Sequence, residues 1–418
     1  MCLKNSGGLK MIYTAIMGHG VVGSGVAEIM LGHTDMINHK IKNEIDVKYI
    51  LDLRDFNDLS YSDKFIKDFE LIVNDDDIKI VVEVMGGINP AYDFVKRCLL
   101  AGKSVVTSNK ELVAAKGAEL LAIANEKNVN FLFEASVGGG IPILRPIAQC
   151  LSANEITEVK GILNGTTNYI LNKMIVDNMD FDSALSLAQE MGFAEKNPAA
   201  DIEGHDACRK ICILAALAFG KHVYPEQVST DGITNITLTD VEYADSFDCA
   251  IKLIGSAKKL ENGKITASVK PMLVSHSNIL SDVDGVFNAI MVTGDSVGDV
   301  MFYGKGAGKM ATASAVVADI MDCAKHLNAR KYVDWVEGSN DYVIKPDEKV
   351  RLYVYIQSDD YDMLCTQFTT LFSDNTWHTK NDYKKEIAFI TNEDYESALM
   401  KKINSIKCDN IKVMHTLF

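Results

Sequence analysis

The 418-residue sequence predicts an α/β protein in three parts. A doubly wound parallel sheet comes first, an α+β domain with an open sheet follows, and a small α+β module closes the chain. Three observations carry this. Short apolar strands alternate with helical stretches from Lys10 to about residue 135. The rhythm changes after the glycine cluster Gly138–Gly140, and it changes again beyond Pro346, where the last 72 residues read strand, helix, strand, helix, strand.

Taken in order, Met1–Leu9 reads as a loose leader. The first-domain strands are expected at Ile12–Met17, Val47–Leu53, Ile78–Val84, Ser104–Thr107 and Val129–Glu134. Helical spacing fills Val22–Leu31, Ala91–Ala101 and Glu111–Glu126. The second domain is expected over 138–303. It has a strand at Ile156–Leu163, helical stretches Tyr169–Met191 and Asp206–Phe219, and strands Ile265–Val274 and Phe287–Thr293. A glycine-rich loop, Gly304–Gly308, precedes a small-residue helix, Ala311–Leu327, expected to return to the first domain (10–137). Ser339–Lys349 is the expected linker to a third domain over 347–418.

Bulk properties exclude several functions. The net charge is -15, from 42 basic and 57 acidic side chains, a field that repels phosphate backbones and anionic membrane surfaces. Any bound phosphate must be captured locally. No apolar run is long enough to cross a bilayer, and no secretory leader is visible. Nine cysteines without a C-x-x-C pair fit reduced thiols in cytoplasm.

The first strand runs into GHGVVGSGV, placing Gly18, Gly20 and Gly23 as G-x-G-x-x-G ahead of a helix. Glycine serves the tight turn and lets backbone approach a pyrophosphate, which the helix N-terminus then favours; Val21 and Val22 open that helix. This is the signature of a Rossmann-type dinucleotide domain. The second strand runs into Leu53-Arg54-Asp55. An acid there suits a ribose 2′-hydroxyl and an arginine suits a 2′-phosphate, so Arg54 tilts the expectation towards NADPH over NADH.

Two further strand ends carry polar groups that core packing does not require. Val84-Met85-Gly86-Gly87 admits a ligand to the backbone, and Thr107-Ser108-Asn109-Lys110 sets hydroxyls and a lysine at the sheet's carboxyl edge. The run GILNGTTNY, Gly161–Tyr169, ends a strand with more polar side chains than one helix cap uses; contacts to a nicotinamide amide or a substrate carboxylate are expected, Thr166 being the substrate-side candidate. The richest segment is Ala188–Lys210, AQEMGFAEKNPAADIEGHDACRK, where Glu195, Asp201, Glu203, Asp206 and Lys210 crowd together. Asp206 and Lys210 are four apart on a helix and share a face.

These residues resemble homoserine dehydrogenase. Ala188, Gly192, Phe193, Ala194, Asn197, Pro198, Asp201, Ile202, Gly204, Asp206 and Lys210 match that family's signature, and GHGVVGSGV, VVEVMGG, VVTSNKELVA, FEASVGGGIPI and ILNGTTNYIL resemble its other blocks in order. The resemblance covers about residues 10 to 330. It implies reversible reduction of L-aspartate 4-semialdehyde to L-homoserine by NADPH or NADH, on the route to threonine and methionine. It further implies Lys210 as proton donor, Lys110 as a second lysine at substrate and nicotinamide, Glu195 on the substrate ammonium, Asp206 at the hydroxyl end and Asp201 supporting them. Thr107, Ser108, Gly192, Glu195 and Gly308 join the cofactor set. A sodium ion on the backbone carbonyls of Glu134, Val137, Gly139 and Ile141, and a homodimer or homotetramer, are also implied. Two lysines at one site repel and lower a lysine pKa, while neighbouring carboxylates act the other way.

The C-terminal 72 residues resemble an ACT module in element order, but Ser358-Asp359-Asp360-Tyr361-Asp362 lacks the glycine of its ligand loop, so dimerisation rather than amino-acid binding is expected there. His19, where the family more often carries an aromatic or aliphatic residue, falls at an unconstrained position. A phosphorylating semialdehyde dehydrogenase would need a nucleophilic cysteine at a strand end, and a ligand-sensing protein on a dehydrogenase scaffold would tolerate loss of Lys210 or the glycines, all of which are present. A fused kinase is not expected ahead of Lys10.

Overall fold

The computed structural model describes residues 11–329, 333–373 and 378–418. The leader Met1–Leu9, and Lys10 where the first domain was expected to begin, lie outside the described residues. The chain divides into two compact units. The first holds the residues up to Val159 together with Arg209–Gln227 and Ile290–Tyr342; the second holds Lys160–Cys208, Val228–Ala289 and Val343–Phe418.

In the first unit six parallel strands lie side by side. From one edge they run Phe65–Ile66, Glu44–Leu51, Met11–Met17, Ile78–Glu83, Ser104–Thr107 and Phe131–Leu132. The chain steps outward from Met11–Met17 in one direction and then in the other, so the strand order reverses beside that strand. Its carboxyl end is where such sheets take ligands. The central strands are largely apolar because helices cover both faces; Ala15, Ile16, Ile80, Val81, Val105 and Val106 are fully buried. The helix Lys309–Lys325 packs along Val21–Gly32. Their close approach needs Gly25, where a Cβ would stand 2.9 Å from Ala313 Cβ.

In the second unit the strands Cys249–Lys259, Ile265–Ser275, Asn410–Leu417, Leu352–Gln357, Glu386–Ile390 and His378–Asn381 neighbour one another in that order. Asn410–Leu417 runs parallel to Ile265–Ser275, so the C-terminal segment shares a sheet with the residues ahead of it. Beyond Pro346 a hairpin, His378–Asn381 with Glu386–Ile390, stands where a single strand was expected. Its core is apolar: Val354, Ile356, Leu364, Phe368, Ile387 and Phe389 pack together.

The sequence pattern missed Cys249–Lys259 because Lys252 breaks the apolar run, yet Lys252 is only 1% exposed. The expected stretch Tyr169–Met191 is two helices, Gly165–Val176 and Phe181–Glu190, separated by a turn in which Asn178 takes φ +49°. Asp180 caps the second by accepting from Ser183 N–H. No helix among the described residues is long and apolar enough to cross a membrane. The eight cysteines there are unbridged.

Candidate active site

The glycine turn is built around contacts that leave no room for side chains. Gly18 takes φ +101°, and its N–H donates to Leu51 O at 2.8 Å. A Cβ on Gly23 would fall 2.0 Å from Gly18 O, whereas one on Gly20 meets nothing within 4 Å. The first contact closes the turn and the second leaves an open cradle at the start of Val21–Gly32, whose N-terminal amides no side chain caps. Val21 is exposed and Val22 half-buried at the mouth. A cleft of about 500 Å³ opens from Gly18 and Gly20 past Asp52, Arg54 and Lys67 to Met85 and Phe94. These residues fit the adenosine half of a dinucleotide.

The acid at the second strand end is Asp52, not Asp55. The strand stops at Leu51, two residues earlier than the sequence pattern suggested, and Asp55 is turned to Lys67 at 2.6 Å. Asp52 accepts from His19 N–H at 2.8 Å, from Arg54 N–H at 3.0 Å, and from the Arg54 guanidinium at 2.9 Å and 3.0 Å. The Arg54 guanidinium beside it holds the carboxyl far below the usual range. His19 is buried among Phe56, Tyr61 and Phe65, edge-on to all three. Burial lowers its imidazole pKa.

A second missed residue is Glu83. It is fully buried, and its carboxylate accepts from Thr107 Oγ1 at 2.6 Å, Met85 N–H at 2.8 Å and Gly86 N–H at 3.3 Å. Burial raises its pKa and these donors oppose the rise. Thr107 is thereby committed to Glu83, and it also accepts from Asn109 N–H at 2.9 Å. Asn109 in turn donates to Gly87 O at 2.6 Å and caps the helix Lys110–Glu126 through Leu112 N–H. One carboxylate therefore joins the Met85–Gly87 turn to the turn that presents Ser108 and Lys110, both half-buried. Lys110 opens its helix and Lys210 lies in the second turn of His205–Phe219. Arg209 reaches Glu111 at 3.4 Å, so an ion pair sits one residue from each lysine.

In the second unit Asn164 organises the acids. As N-cap of Gly165–Val176 it accepts from Thr167 N–H at 2.8 Å, and its amide donates to Asp201 at 2.7 Å and to Asp206 at 2.8 Å. One amide bridging two carboxylates fixes both. Asp206 is 5% exposed and precedes Lys210, 8% exposed, by one turn of the same helix. Thr166 Oγ1 donates to Phe193 O at 2.7 Å, tying that helix start to the loop containing Gly192 (φ +74°) and Glu195. Glu195 is exposed, and its backbone oxygen accepts from Gln189. Gly308, φ +126°, precedes Lys309–Lys325 with open space around it.

The turn holding Glu134, Val137, Gly139 and Ile141 lies in the first unit. The Glu134 carboxylate accepts from the N–H groups of Ile143, Leu144 and Arg145 at 2.6–2.8 Å. Glu134 N–H donates to Asp319, which is fully buried with its pKa pushed up to about 7 by burial, although Arg145 stands 2.5 Å away. Gly139, at φ +56°, passes so close to Gly306 O that a Cβ would be 2.4 Å from it. Among the described residues no hydrogen bond reaches the carbonyls of Val137, Gly139 or Ile141.

Residues 18–134 match the family model "Homoserine dehydrogenase, NAD binding domain", and residues 142–321 match "Homoserine dehydrogenase". The chain is 41% identical over 322 residues to homoserine dehydrogenase of Bacillus subtilis, covering 76% of this chain and 74% of that one. It is 38% identical over 381 residues to that of Helicobacter pylori, covering 90% and 89%. The crystal structure of a homoserine dehydrogenase from Thiobacillus denitrificans superposes with a TM-score of 0.89 at 33% identity, over 98% of this chain and 99% of that one. A hyperthermophilic archaeal homoserine dehydrogenase mutant in complex with NADPH gives 0.64 at 29%, over 75% and 97%.

Proposed function

The chain belongs to the homoserine dehydrogenase family, NAD(P)-dependent oxidoreductases that reduce L-aspartate 4-semialdehyde to L-homoserine, and we propose how its own residues divide that work. Lys210 protonates the aldehyde oxygen as it gains charge, and Lys110 adds a second positive group for that oxygen. Asp206 binds the hydroxyl end and Asp201 holds the network, while Glu195 and Thr166 serve the amino-acid end of the substrate. The nicotinamide cofactor supplies the hydride when bound; Gly18, Gly20, Val21, Val22, Gly23, Arg54, Ser108, Gly192 and Gly308 line its path, and Thr107 acts through Glu83.

The observation that carries this reading is Asn164, whose amide bridges Asp201 and Asp206 one helical turn ahead of buried Lys210. A network of that kind is costly unless every member is satisfied, and it orients a proton donor. The carbonyls of Val137, Gly139 and Ile141, which take no N–H donor among the described residues beside Glu134, suit a hard monovalent cation such as sodium. A homodimer or homotetramer is the assembly in keeping with the family.

Purified protein should consume NADH or NADPH when given aspartate 4-semialdehyde, and inactivity with both cofactors sinks the assignment. Lys210→Ala should lower turnover by about 10²–10⁴-fold with cofactor affinity unchanged, read from steady-state kinetics beside a binding titration. Near-normal turnover would remove Lys210 from its role.

A further inference from the structure

We propose that Asp52 reads the adenosine ribose and that its clamp on Arg54 makes NADH the preferred cofactor. The proposal rests on the nicotinamide-dehydrogenase reading above and decides between its two cofactors.

Asp52 is the first residue past the second parallel strand and lines the same cleft as Gly18 and Gly20. Its side chain is only 10% exposed, and three backbone or side-chain groups, from His19 and Arg54, fix its direction. A carboxylate held there accepts from a ribose 2′-hydroxyl without rearrangement. Arg54 is the residue an NADPH site would need, yet its head is already committed. Nε and Nη2 donate to the two Asp52 oxygens at 3.0 Å and 2.9 Å, and Nη2 also donates to His19 O at 3.0 Å.

The other cation in the cleft lining, Lys67, stands 2.6 Å from Asp55. Each positive charge is thus matched by an aspartate. A 2′-phosphate brings about two negative charges and needs donors of its own, so it must break the Asp52–Arg54 pair and then sit against a bare carboxylate. The guanidinium that suggests NADPH in the sequence instead neutralises an acid built for the hydroxyl.

Binding of NADH and NADPH to the full-length protein, without substrate, tests this by fluorescence or calorimetric titration. Wild type should bind NADH at least about tenfold tighter than NADPH, a gap of about 1.4 kcal/mol. Asp52→Asn keeps the shape, removes the charge and frees the guanidinium. The gap should close or invert, and the gained NADPH affinity should weaken with added salt. Arg54→Gln leaves the carboxylate unneutralised and should widen the gap. Tighter NADPH binding by wild type overturns the proposal, as does an unchanged ratio in folded Asp52→Asn. If Asp52→Asn does not fold, the wild-type ratio and Arg54→Gln decide. Failure of wild type to bind either dinucleotide would instead remove the dehydrogenase reading.

Discussion

Glu83 and Lys252 are both charged and both buried, Glu83 fully and Lys252 with 1% exposure, but they restrain loops in different ways. Glu83 is an anion held by donors: Met85 N–H, Gly86 N–H and the Thr107 hydroxyl. Lys252 is a cation held by acceptors, donating to Val283 O at 2.7 Å and Asp284 Oδ1 at 3.2 Å. The loop below Lys252 has other restraints. Asn168 donates to Val283 O and Gly285 O, and Asn172 donates to Asp284. The two turns at the cofactor edge converge on the Glu83 carboxylate, with the Asn109 amide donating to Gly87 O as one further tie. One loop is shared among several side chains and the other leans mainly on one carboxylate, so equal burial does not imply equal consequence.

The sharpest way to break this comparison is Glu83→Ala. It orphans three donors at once, each costing about 1–3 kcal/mol when left buried and unsatisfied, so denaturant unfolding should show a loss of about 3 kcal/mol or more, with cofactor affinity falling alongside. Wild-type stability and wild-type dinucleotide binding together would refute the idea that Glu83 is the dominant tie. Redundancy in the second unit makes a smaller prediction. Lys252→Met and Asn168→Ala should each cost about 1–2 kcal/mol, since each leaves the other on Val283 O. The double variant should exceed their sum by about 0.5–2 kcal/mol in a double-mutant cycle. Simple additivity would mean that they do not share the load.

The smallest effect expected is one of pH. His222 is 1% exposed; Trp335 Nε1 donates to its Nδ1 at 2.9 Å, so Nε2 carries the proton and meets Ala114 O at 2.9 Å. Burial lowers its folded pKa below 6.5. Below 6.5 the unfolded chain takes up a proton that the folded chain refuses, so stability falls as pH drops towards the folded pKa and is level above 6.5. Glu83, with its pKa raised, has the opposite sign: stability declines as pH rises through the window above 4.5. Unfolding measured across pH should show the His222 slope flatten in His222→Gln, and an unaltered slope would assign it to another group.

Much of the first unit could be read from sequence because its signals are local. An apolar strand, a glycine turn and an amphipathic helix each declare themselves within about a dozen residues. Ser104–Thr107 falls where the pattern placed it, and Lys110 opens a helix at the expected edge. What stayed hidden depended on partners far along the chain. Asp52 was passed over because apolar Leu53 extended the apparent strand by two residues, although Leu53 is 81% exposed. Asn164 looked like one more polar residue at a helix start, since its bridging role requires Asp201 and Asp206. Lys252 disguised a whole strand, because a charge in an apolar run reads as a surface position.

The His222–Trp335 pair also gives the molecule a built-in optical gauge. The sequence has two tryptophans, and Trp377 lies outside the described residues. Trp335 is 3% exposed, edge-on to Phe133 and bonded to a neutral imidazole. An indole so enclosed emits at short wavelength, and it shifts to the red when water reaches it. A Trp377→Phe protein would therefore report on the unfolding of the dinucleotide unit through the colour of one side chain.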